Sequence, residues 1–438
     1  MKKIISTLAM GMIVAYAAFA DMKVTLNYRN GAELFKYENK GFDGRSTDDY
    51  GNVYVDSGYD NNGSKTTLFN LSGWNAGKDN LGLQISGDIF TIKSTLQPTT
   101  GGNNSIIWHI FDVGAKYNGF YANAGWNGDG IMNYRSKKAA DDGNEEGKVF
   151  ETYKLGSIFT GSDGLCANNQ ISFNTGRNFY ALAGYNLPVT DTFSAKIQGA
   201  VMIDRTWDNP SAEQSNGNFG WTAFLNPKLL DVFDAELFIK GKRIGEAGSD
   251  KVSEFVTGAY LKPAFIPMLA DSAFGGSAVI LDGKLQEWNV DWRAFVKVSG
   301  DLWITYFGKF AKLVSKEGDT PYEPVDGAAV GALAGLTSFK SSQALWNMVS
   351  VRYKINDRFT GVLSVGELSD LDDGFHLGRE SADGTQVFAH PHVQIYAAKN
   401  ATVTAGVLAA FAGIGANEMA NKDVDMLINI PVLFRVKM

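Results

Sequence analysis

Hydrophobic and polar residues alternate along most of this chain after residue 20. The alternation is clearest in residues 425–438, where every second residue is apolar: Met426, Ile428, Ile430, Val432, Phe434, Val436 and Met438. The residues between them are largely polar, with Leu427, Pro431 and Leu433 as exceptions. A period of two places successive side chains on opposite faces of a strand. Residues 22–29 show the same pattern. A long strand with a continuous apolar stripe is typical of a membrane barrel that closes by pairing its last strand with its first.

Strands of about ten residues, the length that a tilted membrane-crossing strand needs, recur along the chain. Many are joined by short turns, such as Asn118-Gly119, Asn226-Pro227-Lys228, Asn356-Asp357 and Lys399-Asn400. Longer polar segments alternate with these turns, at 39–63, 127–148, 205–217, 314–343, 369–385 and 412–423. The sequence therefore predicts an all-β fold, a transmembrane antiparallel up-and-down β-barrel with short periplasmic turns and long extracellular loops. The expected count is about 18 strands, between about 16 and 20.

Two stretches carry a weaker pattern. Residues 149–177 are less regular, and strands there are poorly defined. Residues 262–273 predict either a short helix or an extended connection. These two stretches account for the spread in the expected number of strands.

Residues 1–20 have the features of a secretory signal peptide. Lys2 and Lys3 precede a mostly apolar segment, and Ala18-Phe19-Ala20 forms a small-x-small cleavage site before Asp21. We therefore expect cleavage after Ala20 and a single barrel domain over residues 21–438. After Ala20 the sequence contains no run of about twenty apolar residues, so no transmembrane helix is predicted there.

Composition narrows the range of functions. The chain has 40 basic and 47 acidic residues and a net charge of −7, which argues against a nucleic-acid-binding protein. Its one cysteine, Cys166, cannot form a disulfide framework within the chain. We find no nucleophile elbow, phosphate loop, metalloprotease helix or Cys–His pair. The sequence therefore predicts neither an enzyme nor a bound cofactor.

The alternation and the loop pattern together resemble those of porin-type outer-membrane β-barrel proteins of diderm bacteria. The resemblance covers residues 21–438 as a pattern, without a motif that assigns a closer family. The last strand of such proteins commonly ends in Phe, whereas here Phe434 lies within the alternation and Met438 is last. The resemblance implies an outer-membrane location and contact with lipid and with the barrel-assembly machinery. A homotrimer is suggested by this resemblance alone. A secreted soluble all-β protein is the alternative fold.

Charged residues on the face opposite the apolar one are candidates for lining a pore. These residues are Lys196, Asp234, Glu236, Lys240, Glu287, Asp291, Arg293, Lys297, Arg352 and Arg435. Facing acidic and basic groups order water and select polar solutes. The alternative is that they only solvate the inner wall and pair with each other.

The longest predicted loop, 314–343, is a candidate constriction. It carries the acidic residues Glu317, Asp319, Glu323 and Asp326 before a tract of small residues at 327–335. Small residues could let the loop fold against the wall and narrow the pore, as one long loop does in many porins. The alternative is a surface-exposed loop.

His390 and His392 share one face of a predicted strand because they are two residues apart. Two imidazoles could hold a transition metal with a third ligand, such as Asp373 or His376. We favour the simpler interpretation, in which they are ordinary lumen or rim residues and no metal is bound.

The predicted function is a channel for passive diffusion of small hydrophilic solutes or ions across the outer membrane. The alternative is a surface-exposed structural protein or adhesin that acts through its long loops and has a closed lumen.

Overall fold

The computed structural model describes most of the predicted strands. The described residues are 21–39, 45–47, 53–55, 64–70, 80–98, 106–126, 178–188, 192–204, 219–229, 232–244, 252–263, 265–269, 272–281, 283–313, 343–370, 385–412 and 426–437. Within these ranges, no helix has the length and hydrophobicity needed to cross a membrane.

Strands account for nearly all of the described structure. They are β1 (Asp21–Asn39), β2 (Arg45–Thr47), β3 (Val53–Val55), β4 (Ser64–Asn70), β5 (Asn80–Ser86), β6 (Phe90–Pro98), β7 (Ile106–Tyr117), β8 (Phe120–Trp126), β9 (Asn178–Pro188), β10 (Phe193–Asp204), β11 (Phe219–Leu229), β12 (Phe233–Ile244), β13 (Val252–Lys262), β14 (Ala273–Leu281), β15 (Lys284–Lys297), β16 (Leu302–Leu313), β17 (Gln343–Lys354), β18 (Phe359–Asp370), β19 (Thr385–Ala398), β20 (Ala401–Gly406), β21 (Leu408–Ala412) and β22 (Met426–Lys437). A short 3-10 helix, Pro267–Leu269, occupies the predicted irregular stretch at 262–273.

Twenty of the described strands form one sheet, and the remaining two, β2 and β3, pair with each other. From β5 to β19, each strand pairs antiparallel with the next. β4 and β5 pair with the two halves of β1, and β20 and β21 together bridge β19 and β22. If β4 with β5 and β20 with β21 are each counted as one strand, the described part of the sheet has eighteen strands.

The first and last strands pair antiparallel, as the sequence predicts. Asn27 lies opposite Lys437 and Arg29 opposite Arg435. The first strand is longer than the predicted 22–29, because β1 continues to Asn39 through a bulge between Glu33 and Phe35. A bulge inserts one extra residue and reverses the alternation beyond it. Because of this reversal, the second half of β1 does not continue the period-two pattern of residues 22–29.

Several predicted turns are confirmed, and one is wrong. Asn118 and Gly119 both have positive φ, 47° and 83°, as a two-residue hairpin turn requires. The expected turn at residues 226–228 lies inside β11, where Pro227 is opposite Ala195. Pro227 is tolerated there because the pairing of β11 with β12 is interrupted between Leu225 and Lys228. Since β8 pairs directly with β9, no strand from 149–177, which lies outside the described residues, separates them.

The two faces of the wall differ in polarity. Large aliphatic side chains are exposed on the outer face, including those of Ile197, Val201, Leu237, Ile239, Leu363 and Val365. Polar side chains are buried on the inner face, including those of Gln198, Thr222, Glu236, Ser350, Ser364 and His390. A soluble protein has the reverse arrangement, with its apolar side chains inside. Exposed apolar and buried polar side chains are the arrangement of a barrel whose outer face meets lipid.

Aromatic rings on the inner face fill the space that glycines leave on neighbouring strands. A Cβ added to Gly258 would collide with the ring of Phe238, and one added to Gly366 would collide with the ring of Phe388. Tyr121 covers Gly184 in the same way. Such cross-strand pairs fix the register of a curved sheet, because the ring fits only where the neighbour has no side chain.

Candidate functional site: the inner face of the barrel

The predicted pore-lining residues all lie on strands of the sheet. Side chains are described for Lys196, Asp234, Glu236, Lys297, Arg352 and Arg435. All of these except Lys297, which is exposed at the end of β15, stand two residues from a buried inner-face residue, for example Lys196 from Gln198 and Arg352 from Ser350. Residues two apart on a strand share a face. For Lys240, Glu287, Asp291 and Arg293 only the backbone position is described.

The first feature of the inner face is a group of charges on β10, β12 and β13, which we call the charged sector: Lys196, Asp234, Glu236 and Lys262. Glu236 is only 1% exposed and forms an ion pair with Lys262, whose ammonium group donates a hydrogen bond to its carboxylate. The ammonium group of Lys196 lies 5.2 Å from the centre of the Tyr121 ring, within range of a cation–π interaction.

Neutral side chains extend the charged sector along the same wall. The hydroxyl of Tyr121 donates a hydrogen bond of 3.0 Å to Oε1 of Gln198. The side-chain amide of Asn226 donates to Oδ1 of Asp234 at 2.6 Å. Asp234 and Glu236 therefore have partners on the neighbouring strands β11 and β13, whereas Lys196 contacts a ring on β8, two strands away.

Sequence reasoning missed Lys262, the partner of Glu236. It fell in the stretch 262–273, for which no strand was predicted. Lys262 is the last residue of β13 and lies opposite Asp234. The available signal was the alternation of residues 252–262, continued to its end.

The second feature, the imidazole sector, consists of Ser350, Ser364, His390 and His392 on β17, β18 and β19. The two imidazole rings are stacked, with centroids 4.3 Å apart and an angle of 23° between their planes. Both histidines are buried. Ser350 and Ser364 share a hydrogen bond of 3.0 Å beside them. All four side chains of this sector are polar, and none of the four carries a carboxylate or an ammonium group.

A third feature lies where the sheet closes. Glu33 on β1 is buried, and its carboxylate accepts one hydrogen bond from Asn70 on β4 at 2.8 Å. It accepts another from Asn429 on β22 at 2.7 Å. We call Glu33, Asn70 and Asn429 the seam triad, because Glu33 bonds to both neighbours of the first strand. The sequence prediction did not single out any of the three.

Several predicted site residues cannot be placed. The acidic residues of the candidate constriction, Glu317, Asp319, Glu323 and Asp326, lie outside the described residues, as do Asp373 and His376. Within the described part, no group of three or more His, Cys, Asp or Glu residues is arranged to hold a metal ion.

This chain is similar in fold to solved structures of outer-membrane proteins. No protein-family model matches the chain, and no curated protein matches it. Wzi of Escherichia coli, a carbohydrate-binding β-barrel of the outer membrane, aligns over 97% of this chain and 87% of its own, with 10% identity and a TM-score of 0.47.

Two further solved structures are similar. OmpT of Vibrio cholerae aligns over 96% of this chain and 98% of its own, with 11% identity and a TM-score of 0.41. The outer membrane channel DcaP of Acinetobacter baumannii aligns over 96% of this chain and 98% of its own, with 15% identity and a TM-score of 0.38. Because all three TM-scores are below 0.5, these similarities identify neither a family nor a function.

Proposed function

We propose that this chain is an outer-membrane channel for the passive diffusion of small hydrophilic solutes or ions. The observation that carries the proposal is the inverted polarity of the sheet, which exposes aliphatic side chains outside and buries charged ones inside. Lipid is the solvent that suits such an outer face. A charged inner face is useful only where water and polar solutes reach it.

The charged sector is the proposed selectivity element. Glu236 and Lys262 place opposite charges on the neighbouring strands β12 and β13, and Lys196 adds a positive charge on β10, two strands away on the same inner face. Opposite charges in fixed positions order water and favour polar or zwitterionic solutes over apolar ones. The alternative role, mutual pairing without any effect on solutes, predicts that removing one charge leaves ion selectivity unchanged.

Planar-bilayer recording tests the proposal. Purified full-length protein that shows heat-modifiable migration should give reproducible conducting steps. Glu236→Gln should shift the reversal potential in a salt gradient toward anion selectivity, because the charge of Lys262 is no longer balanced. Asp88→Asn, in the exposed turn between β5 and β6, removes one negative charge outside the wall and is the matched control. Folded protein without conducting steps would overturn the channel proposal.

One observation favours the alternative, an outer-membrane structural protein or adhesin with a closed lumen. Five apolar side chains on the inner face are at most 5% exposed, namely those of Phe224, Phe238, Met348, Val362 and Phe388. A wide open lumen would leave inward side chains partly exposed. Absence of conductance together with ligand binding that is lost on deletion of 127–148 or 314–343 would support this second function.

A further inference from the structure

Five lysine side chains are exposed on the inner face of the barrel, and we call them the basic ring: Lys23, Lys93, Lys116, Lys228 and Lys297. Residues opposite each other on paired strands share a face of the sheet. Lys23 and Lys93 both lie opposite Gln84 on β5. Lys93 also lies opposite Asp112, which is buried on the inner face. The register therefore places these two lysines inside the barrel.

The other three lysines are on the inner face for the same reasons. Lys116 is four residues from Asp112 on β7, and an even spacing on a strand keeps the face. Lys228 lies opposite Asp234 of the charged sector. Lys297 has the parity of the candidate pore-lining residues of β15. The ring thus includes lysines of five different strands.

The basic ring lies at the periplasmic end of the barrel. Each of its lysines is within four residues of the same end of its strand, the end at which the short turns lie. β1 begins at this end, because Asp21 lies opposite Ser86, the last residue of β5. Short turns mark the periplasmic side of an outer-membrane barrel. Three half-buried cations, Lys196, Arg352 and Arg435, lie on the same face near the same end.

The carboxylates of the inner face are less exposed than these lysines. Glu33, Asp112 and Glu236 are at most 3% exposed. Asp234 is half-buried and accepts a hydrogen bond from a side-chain amide. Among the inner-face carboxylates whose side chains the structure describes, only that of Asp21 is exposed. The exposed charge of the described inner face is therefore positive, although the whole chain has a net charge of −7.

Neither lipid nor ion pairing accounts for the basic ring. Anionic lipid headgroups lie outside the barrel, whereas these lysines are on the inner face. In the part of the chain that the structure describes, none of the five forms an ion pair. The exposed turn residues Asp88 and Asp301 lie beyond the strand ends. The five ammonium groups are therefore accessible to a solute in the lumen.

We propose that the basic ring makes the channel selective for small anionic solutes, such as inorganic phosphate and short carboxylates, an inference that rests on the channel function proposed above. Rings of Arg and Lys side chains give pores their selectivity for anions and phosphate. Like charges in the low-dielectric wall of a water-filled opening also raise the local concentration of the oppositely charged solute. Both effects act where a solute passes between the lumen and the periplasm.

The reversal potential of planar bilayers in a KCl gradient tests the proposal. A potential of one kT concentrates a monovalent anion about threefold, so chloride should permeate at least about threefold more readily than potassium through the wild-type channel. Lys93→Gln combined with Lys116→Gln should bring this ratio toward one. The matched control is Lys312→Gln combined with Lys399→Gln, which changes exposed lysines on the outer face of β16 and in the turn after β19. Conducting steps without anion preference, or equal ratios in the two double variants, would overturn the anion proposal and leave the channel proposal standing.

A second measurement does not depend on conductance. Lysines of the folded protein are acetylated with an anionic sulfonated succinimidyl ester or with its neutral counterpart, and each site is quantified by mass spectrometry. The rate ratio of anionic to neutral reagent should be about threefold higher at Lys116 than at Lys399, because the same potential concentrates the anionic reagent. Salt at about 1 M, where the Debye length is about 3 Å, should remove this difference. Equal ratios at the two lysines in low salt would contradict the proposal even for protein that does not conduct.

Discussion

The charged and imidazole sectors line the same wall but satisfy their buried polar groups in different ways. In the charged sector Glu236 is paired with Lys262 across neighbouring strands. In the imidazole sector His390 has no hydrogen-bond partner among the described residues. A buried charge without a partner is far more costly than a buried neutral imidazole, which can remain uncharged. The first sector therefore pairs its buried carboxylate within the chain, whereas the second leaves the ring nitrogens of His390 without hydrogen bonds from the described residues.

The largest predicted effect comes from breaking the ion pair of the charged sector. Glu236→Gln removes the buried carboxylate that is paired with the ammonium group of Lys262, which is 13% exposed. Removing one partner of a buried pair costs about 3 kcal/mol or more, because the remaining charge is still desolvated. We expect the free energy of unfolding, measured by urea titration of protein folded in lipid vesicles, to fall by about 3 kcal/mol.

A double variant tests the reason for that loss. Glu236→Gln combined with Lys262→Met removes both charges and should recover most of the lost stability. Equal instability of the double and single variants would mean that packing, rather than an unpaired charge, determines the effect. The inner wall would then resemble an ordinary core in this sector.

The imidazole sector should be more sensitive to shape than to charge. Gly406→Ala places a methyl group against the backbone of Pro391 and His392, which cannot move aside as a flexible side chain could. We expect a loss of about 2 kcal/mol in unfolding free energy, typical of overpacking. Gly361→Ala is the control, since its Cβ would meet only Ile355, at 3.8 Å. Similar losses in both variants would show that the space beside His392 is not restricted.

The fold could be predicted from sequence because a strand exposed to lipid on one side and to a polar interior on the other has a simple alternation. In residues 426–437 the outward stripe is continuously apolar, although Leu427, Pro431 and Leu433 are apolar on the inner face, and both the strand and its pairing with β1 were predicted. The charged residues of β10 and β12 followed from the same parity. For these elements the pattern of single residues is sufficient.

The rest depends on contacts between strands that are distant in sequence. Glu33 and Asn429 are 396 residues apart, and nothing local to either marks them as partners. The bulge after Glu33 reverses the alternation, so the period-two pattern does not mark the seam triad. The register is continuous beside the imidazole sector, where Gly406 lies opposite His392, and the shared face of the two histidines was predicted. The stacked geometry of His390 and His392 is likewise visible only in the folded chain.

In the seam triad the buried carboxylate of Glu33 accepts hydrogen bonds from two neutral amides, whereas in the charged sector the carboxylate of Glu236 is paired with a lysine. Asn429→Ala removes a fully buried amide that donates to Glu33, and we expect a loss of about 1.5 kcal/mol in unfolding free energy. Asn70→Ala removes the other, partly buried donor and should cost about 1 kcal/mol. If neither variant changes the urea midpoint, the carboxylate of Glu33 is stabilised by other contacts, and the triad does not strengthen the closure.

The smallest effect on stability is expected at the ion pair of Lys354 and Asp357, which is exposed to water, unlike the buried pair of Glu236 and Lys262. Lys354 donates a hydrogen bond of 2.6 Å to Asp357 in the turn after β17, and this contact lowers the pKa of Asp357 below its usual value. A lowered pKa stabilises the folded state above the usual pKa, and that contribution is lost as the pH falls through the folded value. Because the pair is exposed, water and salt screen it. Lys354→Gln should therefore raise the pKa of Asp357, measured by NMR titration of labelled aspartate, with little change in stability at neutral pH.

Arg358→Gln removes a positive charge from the same turn without breaking the hydrogen bond to Asp357, and it should leave that pKa lowered. An equal shift in both variants would mean that net charge in the turn, rather than the bond to Lys354, sets it.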